Sequence, residues 1–265
     1  MSDNNKNSVL PDVIEPISNA IQQNIPETAK QTDGALSTIV GFFNNVVLYP
    51  VKKANLTFRY KLEAFEDDLK EKTKNIPEEN LQIPPTMIAG PALEALRYTY
   101  DEKELREMYE NLLASAMDTR IANQVLPSFV DAIKQMSPLD ALILQKFVDL
   151  HQLACAGIKF SIQNTNQVYL KAMPTYFFQE LADMSDPFIV STSITNLLRL
   201  GFLNITDGAI NGYNYESFKT HPYVQSRVAL FNSFGTPFKV DIDKKVVMIN
   251  DYGKSFAKVC LGKEV

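Results

Sequence analysis

Apolar residues recur at helical spacing along much of this chain, with polar residues between them. The charged stretch 52–74 has apolar positions that are four, three and four residues apart, at Phe58, Leu62, Phe65 and Leu69. That spacing predicts a helix that packs along one narrow edge. A linker over 76–85, which holds three prolines, then separates this helix from those that follow.

Helix start signals are frequent in the central part of the chain. Asp101 and Glu104 have the spacing of a capping box, ahead of an apolar stripe. Pro127 suits a first helical turn, because the N–H that proline lacks has no partner there. The motif Ser137-Pro138-Leu139-Asp140 supplies a cap, a proline and a first-turn acid. It predicts a helix that reaches about His151.

The pattern changes after Gly157, where alternating apolar residues and an Asn-rich turn leave the state of the connector open. Helical spacing returns over 173–184 and again from Pro187 to a stop at Gly201. The order predicted beyond it is a strand over 202–205, a hairpin of two β arms around Asp243 and Lys244 within 238–249, and a final helix over 252–261.

This C-terminal order of elements resembles a winged helix-turn-helix, with an insertion at 207–237 between the first strand and the hairpin. The predicted fold class is therefore mainly α, a helical N-terminal region followed by a winged-helix-like α+β unit. The predicted domains are a leader with amphipathic helices (1–85), a central helical region (86–157) and the winged unit (158–265).

A winged unit raises the possibility of nucleic-acid binding. The candidate contacts are the basic residues of its groove-reading helix and its hairpin, Arg199, Lys239, Lys244 and Lys245. Arg199 is the single cation of the helix that would enter the major groove, and Asp241 and Asp243 offset the lysines. Since phosphate contacts supply most non-specific affinity, packing or dimerisation is favoured, and a nucleic-acid-binding regulator is the alternative.

A second candidate surface lies in the uncharged stretch 34–51. It carries a stripe of apolar residues, Leu36, Ile39, Val40, Phe43 and Val47. The stretch is shorter than a comfortable membrane span of about 20 residues, and it lacks the Lys and Arg usual on the polar face of an interfacial helix. Packing against the core or a protein partner is favoured, and peripheral binding to a membrane is the alternative.

Candidate catalytic chemistry is sparse. The chain has only two histidines and two cysteines, and none of the common nucleotide, zinc-peptidase or serine-hydrolase motifs. His151 and Cys155 could share a helix face as metal ligands or as a thiol and its base, but a packed cysteine is favoured because no third group completes such a site. No cofactor or metal is expected, and a non-enzyme is favoured.

Net charge bears on nucleic-acid binding, and cysteine content bears on the cellular compartment. The net charge of -5 argues against a surface that tracks nucleic acid throughout, although residues 185–265 carry nine Lys and Arg against seven Asp and Glu. The two distant cysteines indicate no disulfide framework, and the polar N-terminus is not a secretory signal. We expect a cytoplasmic protein, at the inner face of the membrane if 34–51 binds lipid.

The helical run over 87–144 resembles the bacterial abortive-infection alpha family. The segments that carry the resemblance are AGPALEAL (89–96), DE (101–102), LREMY (105–109), LLASAMD (112–118), PSF (127–129) and SPLD (137–140), with LLRLGFL (197–203) and YG (252–253) near the end. The resemblance implies phage defence, in which an infected cell stops growing or dies before progeny are released. It implies no active-site residues, so we expect action through a protein partner, a homo-oligomer or a membrane.

The membrane hypothesis predicts that the chain floats with liposomes, and that Val40→Asp with Phe43→Asp abolishes flotation because charges are placed in the apolar stripe. A flotation gradient measures this. Unchanged association in the double variant, or none in the wild type, contradicts the hypothesis.

Overall fold

The computed structural model describes residues 56–162, 168–169, 173–233, 235 and 238–264, and the stripe in 34–51 lies outside them. The described chain is mostly helical. The helices are α1 (Leu56–Thr73), α2 (Thr86–Thr99), α3 (Lys103–Met117), α4 (Pro127–Lys134), α5 (Pro138–Leu150), α6 (Pro187–Arg199), α7 (Ser217–Thr220), α8 (Pro222–Asn232) and α9 (Asp251–Phe256), which continues as a π-helical turn, Ala257–Leu261. The strands are β1 (Gln152–Ile162), β2 (Val168–Tyr169), β3 (Leu203–Asp207) and β4 (Phe238–Ile249).

Helix α3 lies at the centre of the helical core. Its residues from Leu112 to Met117 are all buried, and it packs against α1, α2, α4, α5 and the π-helical turn. The Asn111 amide donates to the Cys260 carbonyl, and the Ser115 hydroxyl donates to the Val259 carbonyl, each at 3.0 Å. These bonds satisfy carbonyls of the closing turn and fix the end of the chain on α3.

The start signal at residue 137 is confirmed, and the one at residue 101 is wrong. Ser137 and Asp140 form a reciprocal capping box at the start of α5. Helix α3 instead begins after Glu102 without a side-chain cap. Asp101 pairs with Lys61 of α1, so its carboxylate ties the turn between α2 and α3 to α1 rather than closing the end of a helix.

The four strands form one antiparallel sheet in the order β2-β1-β4-β3. The predicted hairpin around Asp243 and Lys244 is wrong, because both residues lie inside the continuous strand β4. Asp243 lies opposite Gly157 in a ladder that runs from Gln152 opposite Met248 to Ile162 opposite Phe238. Strand β1, whose state the sequence left open, supplies the partner that keeps β4 extended.

The two faces of the sheet belong to two hydrophobic clusters. The helical core receives Leu153, Cys155, Val247 and Ile249 from one face. The opposite face of β1 packs under the segment between β3 and β4, where Tyr215, Phe218 and Val224 are buried. The predicted insertion therefore covers the sheet with helices α7 and α8.

The helix predicted over 173–184 is wrong, because the segment forms turns. Phe177 makes a short antiparallel bridge to Ala156, donating and accepting one backbone bond at 3.0 and 2.9 Å. Pairing with β1 thus replaces the local helical bonds. The predicted domain boundary at residue 157 falls within β1, and the division into domains stays a prediction.

Helix α6 ends as predicted, with Gly201 in the left-handed region at φ 81°. The Phe202 ring that follows packs at 4.5 Å from the Phe256 ring and stacks on Tyr252 at 5.5 Å. The Phe202 backbone approaches α9 so closely that a Cβ on Gly253 would lie 2.4 Å from the Phe202 carbonyl oxygen. Only glycine fits this contact between α9 and the start of β3.

Gly253→Ala should therefore destabilise the protein by about 1–3 kcal/mol, because overpacking forces backbone to move. Lys254→Ala, at the exposed next position of α9, should change stability by about 0.5 kcal/mol or less. Urea denaturation of both variants measures the difference, and equal free energies of unfolding would contradict this packing.

Candidate functional site

The N-terminal cap of α5 also positions α6. Asp140 is buried, and its Oδ2 accepts from the Ser137 backbone N–H at 2.7 Å and from the Asn196 amide at 3.0 Å. The same amide donates to the Gln135 carbonyl at 2.9 Å. One carboxylate oxygen therefore closes the end of α5 and holds the middle of α6 against it.

This clamp leaves one face of α6 open to solvent. The exposed residues of that face are Phe188, Ile189, Thr192, Thr195 and Arg199. Ile189 is 53% exposed and Phe188 41%, which is high for large apolar side chains. The Thr192 hydroxyl donates to the Phe188 carbonyl and the Thr195 hydroxyl to the Ser191 carbonyl, at 2.9 and 2.8 Å. Both hydroxyl groups thus donate their hydrogen bonds within the helix. The face therefore offers fewer free hydrogen-bond donors than its two threonines would suggest.

Arg199 lies at the C-terminal end of this face and is held by neutral groups. Its guanidinium donates to the Gln135 Oε1 at 2.9 Å and to the Asn196 Oδ1 at 2.7 Å. Among the described residues no carboxylate forms an ion pair with it. Neutral groups therefore orient the side chain and leave its guanidinium without a counter-ion in the described structure.

The three predicted lysine contacts do not share a face of β4. Alternation along the strand places Lys239 and Lys245 on one side and Lys244 on the other. Lys239 pairs with Asp241 at 2.6 Å, and Lys245 pairs with Asp207 at 2.5 Å. These partners hold the pKa of each aspartate below its usual value.

Lys244 lies over the aromatic surface of the segment between β3 and β4. Its ammonium is 5.7 Å from the centre of the Tyr215 ring. On the other face, Lys159 forms an ion pair with Asp243. The lysines of the sheet are therefore engaged by neighbours in the fold, whereas a phosphate-binding strip needs cations that face a ligand together.

The structure separates His151 from Cys155, so their placement on one helix face is wrong. His151 ends α5 in the positive-φ region, at 62°, and Cys155 lies in β1. Burial raises the pKa of the Cys155 thiol to about 12, which keeps it protonated and unreactive. In the described part of the chain, no group of three or more His, Cys, Asp or Glu side chains could hold a metal ion.

A buried carboxyl that the sequence did not reveal lies between α3 and α1. Glu110 is 2% exposed and sits 3.6 Å from the Lys72 ammonium and 3.5 Å from the Arg106 guanidinium. Neither contact is a hydrogen bond, and Oε1 is buried without a hydrogen-bond partner in the described structure. Burial raises the pKa of Glu110 to about 7, although both cations lower it. Its i,i+4 spacing from Arg106 was the available signal, but that spacing is typical of exposed helix faces.

The described chain is a mostly helical protein with a small antiparallel sheet, and no helix of this part has the length and apolarity to cross a membrane. The sequence model for abortive infection alpha matches residues 57–260, which is more than half of the chain. The protein belongs to the abortive infection alpha family, as the resemblance over 87–144 predicted. No curated protein and no solved structure matches it significantly.

Glu110→Gln should stabilise the protein at pH 8 and have little effect at pH 5. The folded-state pKa of about 7 exceeds the ordinary 4.5, so wild-type stability falls as pH rises between those values. The gain from the variant should grow by on the order of 2 kcal/mol over this range. Thermal denaturation at both pH values measures it, with Glu107→Gln, at an exposed position of the same helix, as the control. A gain that is independent of pH contradicts the raised pKa.

Proposed function

We propose that this protein acts in phage defence through a protein–protein contact made by the outward face of α6, and that catalysis is not its mode of action. Family membership supports the role in abortive infection. The observation that carries the mechanism is the exposure of Phe188 and Ile189 in the first turn of α6. Exposed apolar side chains grouped on one face are typical of protein contacts.

The charges of this surface favour a protein over a nucleic acid. A helix that reads the major groove uses its N-terminal residues on base edges, where donors and acceptors are needed. Here Phe188 and Ile189 occupy that end, and Arg199 is the only cation of α6. Because Lys239 and Lys245 are already paired with aspartates, cation-to-phosphate contacts would have to replace ion pairs.

The membrane form of the proposal depends on residues 34–51, which lie outside the described structure. In that form the protein acts at the inner face of the membrane, and the flotation experiment above tests it. In the protein-binding form the site of action is the cytoplasm. Two free, buried cysteines in the described chain support a reducing compartment.

Phage plaque counts on a bacterial host test the proposal. Wild-type protein should reduce plaques, and Ile189→Asp should restore them to the number on a host without the protein, because a charge on the contact face opposes apolar binding. Aspartate is tolerated in the first turn of a helix, so α6 should still form. The matched control is Leu230→Asp on α8, where Leu230 is 48% exposed against 53% for Ile189.

The control should protect as well as the wild type, with all three proteins present at equal soluble levels. Full protection by Ile189→Asp overturns the α6 contact, and absence of protection by the wild type overturns phage defence. A gel-shift titration with duplex DNA separates the alternative mechanism. We expect no salt-sensitive binding at low ionic strength, and a complex that dissociates with added salt and is lost in Lys239→Ala would favour the nucleic-acid regulator.

A further inference from the structure

We infer that the protein bound by the α6 face is α6 of a second copy of this chain, packed antiparallel about a two-fold axis. The inference rests on the proposed function, in which this face binds a protein. It names the partner from the chemistry of the face itself, because a contact between two copies related by a two-fold axis requires a surface that complements itself.

The two ends of α6 carry opposite charges, Asp186 at the start and Arg199 at the end, which do not contact each other. Asp186 is exposed at the N-terminal end, where its Oδ1 caps the helix by accepting from the Phe188 N–H at 2.8 Å. Arg199 is exposed at the other end, with neutral groups as its hydrogen-bond partners. In the described chain neither residue forms an ion pair.

Antiparallel pairing brings these charges together. The 13 residues of α6 span about 20 Å at 1.5 Å per residue, so the ends of two such helices meet when their centres meet. Arg199 of each copy then lies beside Phe188 and Asp186 of the other. The contact gains two ion pairs and stacking of the guanidinium on an aromatic ring. Parallel pairing would instead place like charges together, which is unfavourable.

The middle of the face suits close helix packing. In the antiparallel register the two-fold axis passes between Thr192 and Thr195, whose hydroxyls are bonded within their own helix. Their methyl groups are left for the facing helix, and their small size allows the backbones to approach. A buried polar group without a hydrogen-bond partner is costly. This contact buries the two threonine hydroxyls with their hydrogen bonds already made.

The size of the contact sets its strength. A single pair of helices of about 20 Å buries less than the roughly 800 Å² per partner of a standard stable interface. We therefore expect a reversible dimer whose fraction depends on protein concentration. Sedimentation velocity over a wide concentration range should show it in the wild type and in Leu230→Asp. It should show monomer alone in Ile189→Asp.

Cysteine cross-linking tests the orientation. Thr192→Cys mixed with Thr195→Cys should form a disulfide-linked pair faster than either variant alone, because the register brings position 192 of one copy near position 195 of the other. Native Cys155 and Cys260 are buried, so they should not interfere. Leu230→Cys, an exposed thiol away from α6, is the control and should cross-link slowly.

Each result separates the inference from the proposed function. If Thr192→Cys alone cross-links faster than its mixture with Thr195→Cys, the antiparallel register is wrong. If the wild type is monomeric at every concentration and no variant cross-links, the dimer is wrong. If the wild type is monomeric while Ile189→Asp loses protection in the plaque assay, the proposed function stands and the partner is another protein. If Ile189→Asp protects fully, the proposed function fails whatever the oligomeric state.

Discussion

The pairing of β1 with β4 over 11 residue pairs is the contact on which the rest of the described structure depends. Strand β1 follows α5 directly, and the sheet is attached to the helical core through Leu153 and Val247. The segment between β3 and β4 packs on the opposite face of the same two strands. The far end of β4 delivers α9 and the π-helical turn to α3, where Asn111 and Ser115 bind the last carbonyls. Loss of the ladder would release all of these contacts together.

The position of the exposed α6 face depends on the sheet and on one carboxylate, that of Asp140. Asp140 caps α5 and holds Asn196, so the rotation of α6 about its own axis is fixed. That rotation turns Val190, Ile194 and Leu197 into the core and leaves Phe188 and Ile189 in solvent. A buried hydrogen-bonded carboxylate of this kind specifies orientation as well as stability, since a rotated α6 would leave it partly unsatisfied. The exposed face is thus a consequence of the clamp.

Helix starts and stops could be predicted from the sequence where they depend on hydrogen bonds between neighbouring residues. The capping box at Ser137, the glycine stop at Gly201 and the start of α6 at Pro187 each depend on a few neighbouring residues, and each is confirmed. The errors arose where distant pairing decides. Asp243-Lys244 reads as a turn until Gly157, 86 positions earlier, pairs with Asp243. The exposure of Phe188 and Ile189 could not be predicted, because apolarity alone does not show which way a helix is rotated. Burial of Glu110 likewise depends on where α1 packs.

We propose that the α6 face is covered by protein when the molecule acts. Thiol labelling in cells tests it most directly, using Ile189→Cys and Leu230→Cys against a background of two buried native cysteines. We expect Ile189→Cys to be labelled more slowly in phage-infected cells than in dilute purified protein, and Leu230→Cys to be labelled at equal rates in both. Equal rates for Ile189→Cys in the two settings would show that no protein covers this face.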